Sequence, residues 1–178
     1  MNEPKPIVVS IGETFETFYA REYRSLVALT YVLSGSSSVA EDLAQDAMTA
    51  TFRQWSRVSA MDSPTGYLRR TAAYLAVSGI RRRTAEAKAF LRLSAQRDPL
   101  PAMDAPDEEF WAAVRRLPSR QAQAVALRYV YDYPVAEVAR VMQISEGAAK
   151  SHLFRGRQSL AETLGLPTDP STGREVAS

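Results

Sequence analysis

Pro134-Val-Ala-Glu-Val-Ala-Arg-Val-Met142, then Gln143-Ile-Ser145, then Glu146-Gly-Ala-Ala-Lys-Ser-His-Leu-Phe-Arg-Gly-Arg157, is the stretch whose reading decides the fold. Val135, Val138, Ala139 and Met142 recur at three-four spacing, the period of a helix with one buried side. Ala139 is small enough to let a second helix cross closely. Ile144 plugs the turn, and Ser145 has the side chain of a helix cap. Ala149, Leu153 and Leu160 continue a buried side in the second helix. The pattern predicts a helix-turn-helix. Glu146, Lys150, Ser151, Phe154 and Arg155 then face outward, with Arg157 further on. A helix seated in a major groove presents such side chains to base edges and phosphates. Arg128, in the preceding helix, is placed to reach backbone phosphate.

Working outward, helices are expected over Pro106–Arg116 and Arg120–Tyr131, with Ser119 as cap of the second. The last helix should reach about Leu164. Upstream, Phe15, Phe18, Tyr19, Tyr23, Leu26, Val27 and Leu33 give a first helix, broken between Leu33 and Ser38 by Gly35 and four serines. A second helix runs from about Ser38 to Arg57, with an expected apolar side of Val39, Leu43, Ala47, Thr51, Phe52 and Trp55. Ser63-Pro64 is a helix start, capped by Ser63, for a third helix to about Ala89. The fold class is all-α: two small helical domains joined by a flexible linker, with the helix-turn-helix at the C-terminal end. The expected divisions are a disordered N-terminus over 1–13, a helical domain over 14–89, an acidic linker over 90–106, a helix-turn-helix domain over 107–164 and a disordered tail over 165–178.

Charge is segregated along the 178 residues. Between Arg69 and Arg97 there are eight basic residues against one acidic, Glu86. Asp98, Asp104, Asp107, Glu108 and Glu109 follow without a basic neighbour. From Arg115 to Leu160 there are eight basic residues against three acidic. Two basic blocks around an acidic one account for a formal net charge of only +2. Arg-rich faces are often plain solvated surface, but two of them in one short chain point to phosphate as a partner. The chain has no cysteine and one histidine, which excludes disulfides, thiol chemistry and Cys- or His-cluster metal sites. No cofactor is expected. No nucleophile–base pair or Gly-rich phosphate loop supports an enzyme. No apolar run approaches the roughly 20 residues that span a bilayer, and no secretory signal opens the chain, so a soluble cytoplasmic protein is expected.

The string Leu117-Pro118, Leu127-Arg128-Tyr129, Glu137-Val138-Ala139, Ser145-Glu-Gly147, Lys150-Ser151 and Arg155-Gly-Arg157 resembles the promoter-reading domain of extracytoplasmic-function sigma factors, of the sigma-70 family. Ala40-Glu-Asp-Leu-Ala-Gln-Asp46, with Phe52 and Trp55 behind it, resembles the polymerase-binding helix of the same family. Pro64-Thr-Gly-Tyr67-Leu-Arg-Arg-Thr-Ala-Ala-Tyr74, ending in Ile80-Arg-Arg-Arg83, resembles the helix that holds the melted minus-ten element. The resemblance runs from about Phe15 to Leu164. Tyr74, Ser78 and Gly79 stand where the family often has Asn, Asp and His. Gln143 replaces a small turn residue, Asp132-Tyr133-Pro134 a Gly-containing turn, and Ala148-Ala149 the usual Thr-Val.

The resemblance implies a protein that binds core RNA polymerase through Glu41, Asp42, Gln45 and Asp46 and docks on the clamp helices of the largest subunit. It implies promoter DNA as second partner. Tyr67, Arg69, Arg70, Tyr74, Arg81, Arg82 and Arg83 would hold the opened minus-ten strand, and the loop Ser56–Ser63 would take a flipped base. Aromatic rings beside arginines are the general means of gripping single strands, although a tyrosine such as Tyr67 or Tyr74 belongs to the core more often than to a stacking platform. Arg128, Glu146, Lys150, Ser151, Phe154, Arg155 and Arg157 would read the minus-thirty-five element. By the same analogy the acidic linker threads the polymerase's RNA path. An anti-sigma protein would mask the polymerase-binding faces, with Phe90, Leu91 and Leu93 as contributors to masking or to the core. The protein would be a monomer on polymerase, without membrane insertion. The alternative is a stand-alone helix-turn-helix regulator with an N-terminal helical domain, which would bind duplex DNA tightly by itself.

Overall fold

The computed structural model describes residues 13–87 and 108–166, with 79–87 described through the backbone. The linker 90–106, with Phe90, Leu91 and Leu93, lies outside the described residues, as do 1–12 and 167–178 and the side chains of Arg81, Arg82 and Arg83. Among the described residues the chain is all-helical: α1 Phe15–Ser34, α2 Ser37–Phe52, α3 Trp55–Val58, α4 Pro64–Ala87, α5 Glu108–Arg116, α6 Ser119–Val130, α7 Val135–Met142 and α8 Glu146–Leu164.

The first helix starts where the Thr14 hydroxyl accepts the Thr17 N–H at 3.3 Å. It ends at Gly35, whose φ of 74° lies in the left-handed region that glycine enters without cost. The break before α2 is thus only two residues long. Thr30, fully buried on α1, holds the hairpin: its Oγ1 lies 3.1 Å from the Leu26 carbonyl and 2.8 Å from the Ala40 carbonyl of α2.

The apolar side of α2 is rotated from the sequence expectation. Its buried residues are Ala40, Ala44, Ala47, Met48 and Thr51. Val39 and Leu43 sit at the edge, and Phe52 is 58% exposed. The reason is steric: alanines let α2 lie close against α1 and α4, and the larger side chains then line the rim. The helix also stops at Phe52 rather than Arg57, and Trp55 restarts it as α3. That turn places Trp55 against Phe18, ring centres 4.9 Å apart, and against Phe15 at 5.4 Å.

Ser63 opens α4 as its sequence indicates, accepting the Gly66 N–H at 3.0 Å. A Cβ at Gly66 would sit 2.7 Å from that Ser63 oxygen, so a larger residue there would make the Ser63 side chain shift. Leu68, Ala72, Ala73 and Ala76 pack inward from α4.

In the C-terminal half, Trp111, Val114, Val125, Leu127, Val138 and Leu153 are buried. Ser119 does not cap α6. Pro118 occupies the cap position, and its carbonyl accepts from Gln121 and Ala122, which leaves Ser119 inside the first turn. Ser145 does cap α8, accepting the Ala148 N–H at 3.2 Å. Gln143 adopts φ 53°, and its neighbour Ile144 donates back to the Ala139 carbonyl at 3.0 Å. A small turn residue is therefore not needed, although a non-glycine residue in the left-handed region carries a cost of order 1 kcal/mol.

The halves are not separate in space. One buried cluster runs through both. Helix α1 meets α5 and α6, and α4 meets α6 and α7.

Candidate polymerase and nucleic-acid interfaces

Glu41, Asp42, Gln45 and Asp46 are all exposed, at spacings that put them on one side of α2 opposite its alanines. Gln45 is oriented from behind: its Nε2 donates to the Tyr19 hydroxyl at 2.9 Å and the Tyr23 hydroxyl at 3.3 Å, and those two rings stack at 4.9 Å. Burial pushes the Tyr23 phenol above its ordinary pKa, against the opposing pull of the Gln45 hydrogen bond. The result is an acidic ridge in which Gln45 is held in place, with an exposed aromatic, Phe52, near its end.

On α4, Tyr67 is half-buried. Its hydroxyl accepts from Gln54 Nε2 at 3.1 Å, and the Arg57 guanidinium lies 5.7 Å from its ring centre. Tyr67 and Arg70 line a cleft of about 830 Å³ with Arg57, Asp62 and, from the other half, Arg140 and Gln143. Tyr74 is 62% exposed, so of the two tyrosines it stands freer of the core. It shares a second cleft, about 420 Å³, with Arg120, His152 and Arg155. His152 is held below its ordinary pKa, first by burial and then by Arg120 and Arg155.

Arg69 differs from its neighbours. Its side chain is 14% exposed, Nη2 donates to Glu22 Oε2 at 3.0 Å, and the guanidinium lies 3.8 Å from the Tyr131 ring centre. Glu22 is itself buried and also accepts from Thr65 Oγ1 at 3.1 Å and Arg21 Nε at 3.0 Å. Sequence reasoning did not single out Glu22 or Tyr131, and noted Tyr133 only as part of a turn that departs from the Gly-containing one. One signal was available: Glu22 falls between Phe18 and Leu26 on the apolar stripe of α1, where a carboxylate requires partners.

On α8, Glu146, Lys150, Ser151, Phe154 and Arg155 are exposed, and Arg157 is half-buried. Arg128, half-buried at the end of α6, donates through Nη1 to the Tyr133 carbonyl at 2.6 Å and lies 3.6 Å from Asp132. The structure thus gathers the α8 residues on one face. It gathers Tyr67, Arg70 and Tyr74 along α4, and places Arg69 between α4 and the α6–α7 turn.

Two family models match the chain: Sigma-70 region 2 over residues 18–86, and Sigma-70, region 4 over residues 107–160. The ECF RNA polymerase sigma factor SigM of Mycobacterium tuberculosis is 30% identical over 156 residues, covering 85% of this chain and 77% of that one. The chain belongs to the extracytoplasmic-function sigma factors of the sigma-70 family. Another such sigma factor, SigF of Caulobacter vibrioides, is 33% identical over 136 residues and covers 74% of each chain. The fold is that of the sigma factor RpoE of Bartonella quintana, solved in complex with the anti-sigma factor NepR. The TM-score is 0.68 at 21% identity, over 86% of this chain and 98% of that one. This sigma factor therefore acts in transcription initiation. Among its described residues no helix is long and apolar enough to cross a membrane.

Proposed function

We propose that this sigma factor binds core RNA polymerase through Glu41, Asp42, Gln45 and Asp46, carries it to specific promoters and helps to open them. The observation that carries the reading is the two-sidedness of α2: one face is spent on alanine packing, the other is wholly exposed and acidic. An exposed acidic ridge suits a basic helical partner, by charge complementarity. Residues 14–89 form the polymerase and minus-ten unit, and residues 107–164 the minus-thirty-five unit. In the first, Tyr67, Arg69, Arg70 and Tyr74, with Arg81, Arg82 and Arg83, hold the opened strand by stacking and phosphate contact. In the second, Glu146, Lys150, Ser151, Phe154, Arg155 and Arg157 read the upstream element, with Arg128 on the backbone.

The protein works without catalysing a reaction, in the cytoplasm, as a monomer on polymerase. Each DNA interface is small, so affinity comes from polymerase holding both at the right spacing. An anti-sigma protein that covers the α2 ridge would silence it.

The test is in vitro transcription with purified core polymerase on a pool of genomic fragments, with and without the protein. Protein-dependent starts that share two motifs a fixed distance upstream are expected. No such starts, together with tight duplex binding by the protein alone, would replace this reading with the stand-alone regulator.

A further inference from the structure

We propose that Arg69 serves two partners in turn: in the free protein it is the latch that holds the two halves closed, against Tyr131 and Tyr133, and it reaches promoter phosphate only when the halves part. The second role rests on the function proposed above; the first does not.

The latch is built from a departure in this chain's own sequence. Tyr131-Asp132-Tyr133-Pro134 joins α6 to α7 where a glycine-containing turn is common. Asp132 adopts φ 49°, a left-handed conformation that non-glycine residues seldom take. The bend brings Tyr131 and Tyr133 side by side, ring centres 5.3 Å apart and 28° from parallel. Arg128 braces it through the Tyr133 carbonyl. The paired rings then cover the Arg69 guanidinium, at 3.8 Å and 5.3 Å from its central carbon. Arg69 Nε is buried with no hydrogen-bond acceptor, so the ring faces stand in for one. The Tyr131 hydroxyl donates to the Ser25 carbonyl of α1 at 3.0 Å. A second fastening lies apart from the first: Arg115 Nη1 donates to the Val32 carbonyl at 3.2 Å, on the same two halves.

An arginine covered in this way cannot meet a phosphate. The surrounding surfaces face the other half as well. Tyr67 and Arg70 share a cleft with Arg140 and Gln143 of the helix-turn-helix, and Tyr74 shares one with Arg155 of α8. The two promoter elements lie roughly 25 base pairs apart, about 85 Å at 3.4 Å per pair. Faces that look into the same clefts cannot engage both. Promoter DNA therefore selects an open molecule, and the closed fraction lowers its apparent affinity in proportion.

The absence of cysteine makes a clean test. Nitroxide labels at S38C and Q158C, both exposed positions in different halves, report the interspin distance in the free full-length chain. One narrow short-distance population is expected. Tyr131→Leu with Tyr133→Leu should broaden it toward long distances and tighten binding of a mixed-sequence single-stranded DNA oligonucleotide, about tenfold if nine-tenths of the wild type is closed. Tyr133→Leu alone, with helical content checked by circular dichroism, guards against loss of the α6–α7 turn. Identical distance distributions in wild type and folded variants overturn the latch, as does a wild type already broad. The distances need neither polymerase nor promoter. A protein that closes as described but drives no transcription would sink the function proposed above and leave the latch standing.

Discussion

The two halves of the molecule reach a helical fold by different means. The N-terminal half uses long helices, 20, 16 and 24 residues for α1, α2 and α4. Their contact faces are lined by Ala40, Ala44, Ala47, Ala72, Ala73 and Ala76, and aromatic rings close one edge. The C-terminal half uses short helices set by their joints: Pro118, Asp132, Gln143 and Ser145 decide where each ends and at what angle the next begins. In the first half specificity lies in faces, which periodicity describes. In the second it lies in single residues at turns. The exposed surfaces differ likewise, an acidic ridge on α2 against a basic face on α8.

The largest effect that tests this contrast is on the acidic ridge. Asp42→Lys with Asp46→Lys should abolish binding to core polymerase while stability stays within about 0.5 kcal/mol, since both sites are exposed. A pull-down with core enzyme and a thermal melt read the two quantities, and retained binding would remove α2 as the anchor. Next in size, Leu68→Ala, at a fully buried site of α4, should cost about 2–5 kcal/mol. Because one buried cluster spans both halves, calorimetry should show a single transition moving down. Two transitions, with only one displaced, would break the single-core description.

Alkali gives a third measure. Burial pushes the Tyr131 phenol up to about 12, with Arg69 as the chief opposing influence. A raised phenol favours the neutral, folded form. Its contribution is complete below pH 10 and is lost as pH climbs from 10 through about 12. The rise corresponds to roughly 3 kcal/mol at most. Tyr131→Phe should flatten that part of the stability–pH curve in urea titrations; an unchanged curve would show the phenol is not covered. The smallest effect is local. Ser145→Ala removes the α8 cap and should cost about 1 kcal/mol. It should weaken initiation at promoters that depend on the upstream element more than at those that do not.

Much of this was legible in the sequence, and the reasons differ by element. The period of α1, the Ser63-Pro64 start of α4 and the Ser145 cap of α8 are local events, and local residues specify them. The face of α2 was misplaced because large apolar residues draw the eye, whereas helix contact here is made by alanines. Phe52 and Trp55 extended that misreading past the true end of the helix. The acidic ridge survived the error, since it is defined by charge rather than by the core. The packing of one half on the other was not visible at all. It depends on Glu22, Arg69 and Tyr131, separated by 47 and by 62 positions, and on the backbone at Asp132, which no period announces.

The Tyr131–Asp132–Tyr133 turn also bears on modularity. A chain of two halves invites grafting, in which the C-terminal half of one protein is joined to the N-terminal half of another. Here the donor of the rings and the owner of the arginine are different halves. A hybrid that keeps residues 13–87 but takes a foreign C-terminal half inherits Glu22 and Arg69 without their lid, and the foreign half arrives with a joint shaped for some other neighbour. The two parts of this protein are a matched pair, and exchanging either one changes what the other exposes.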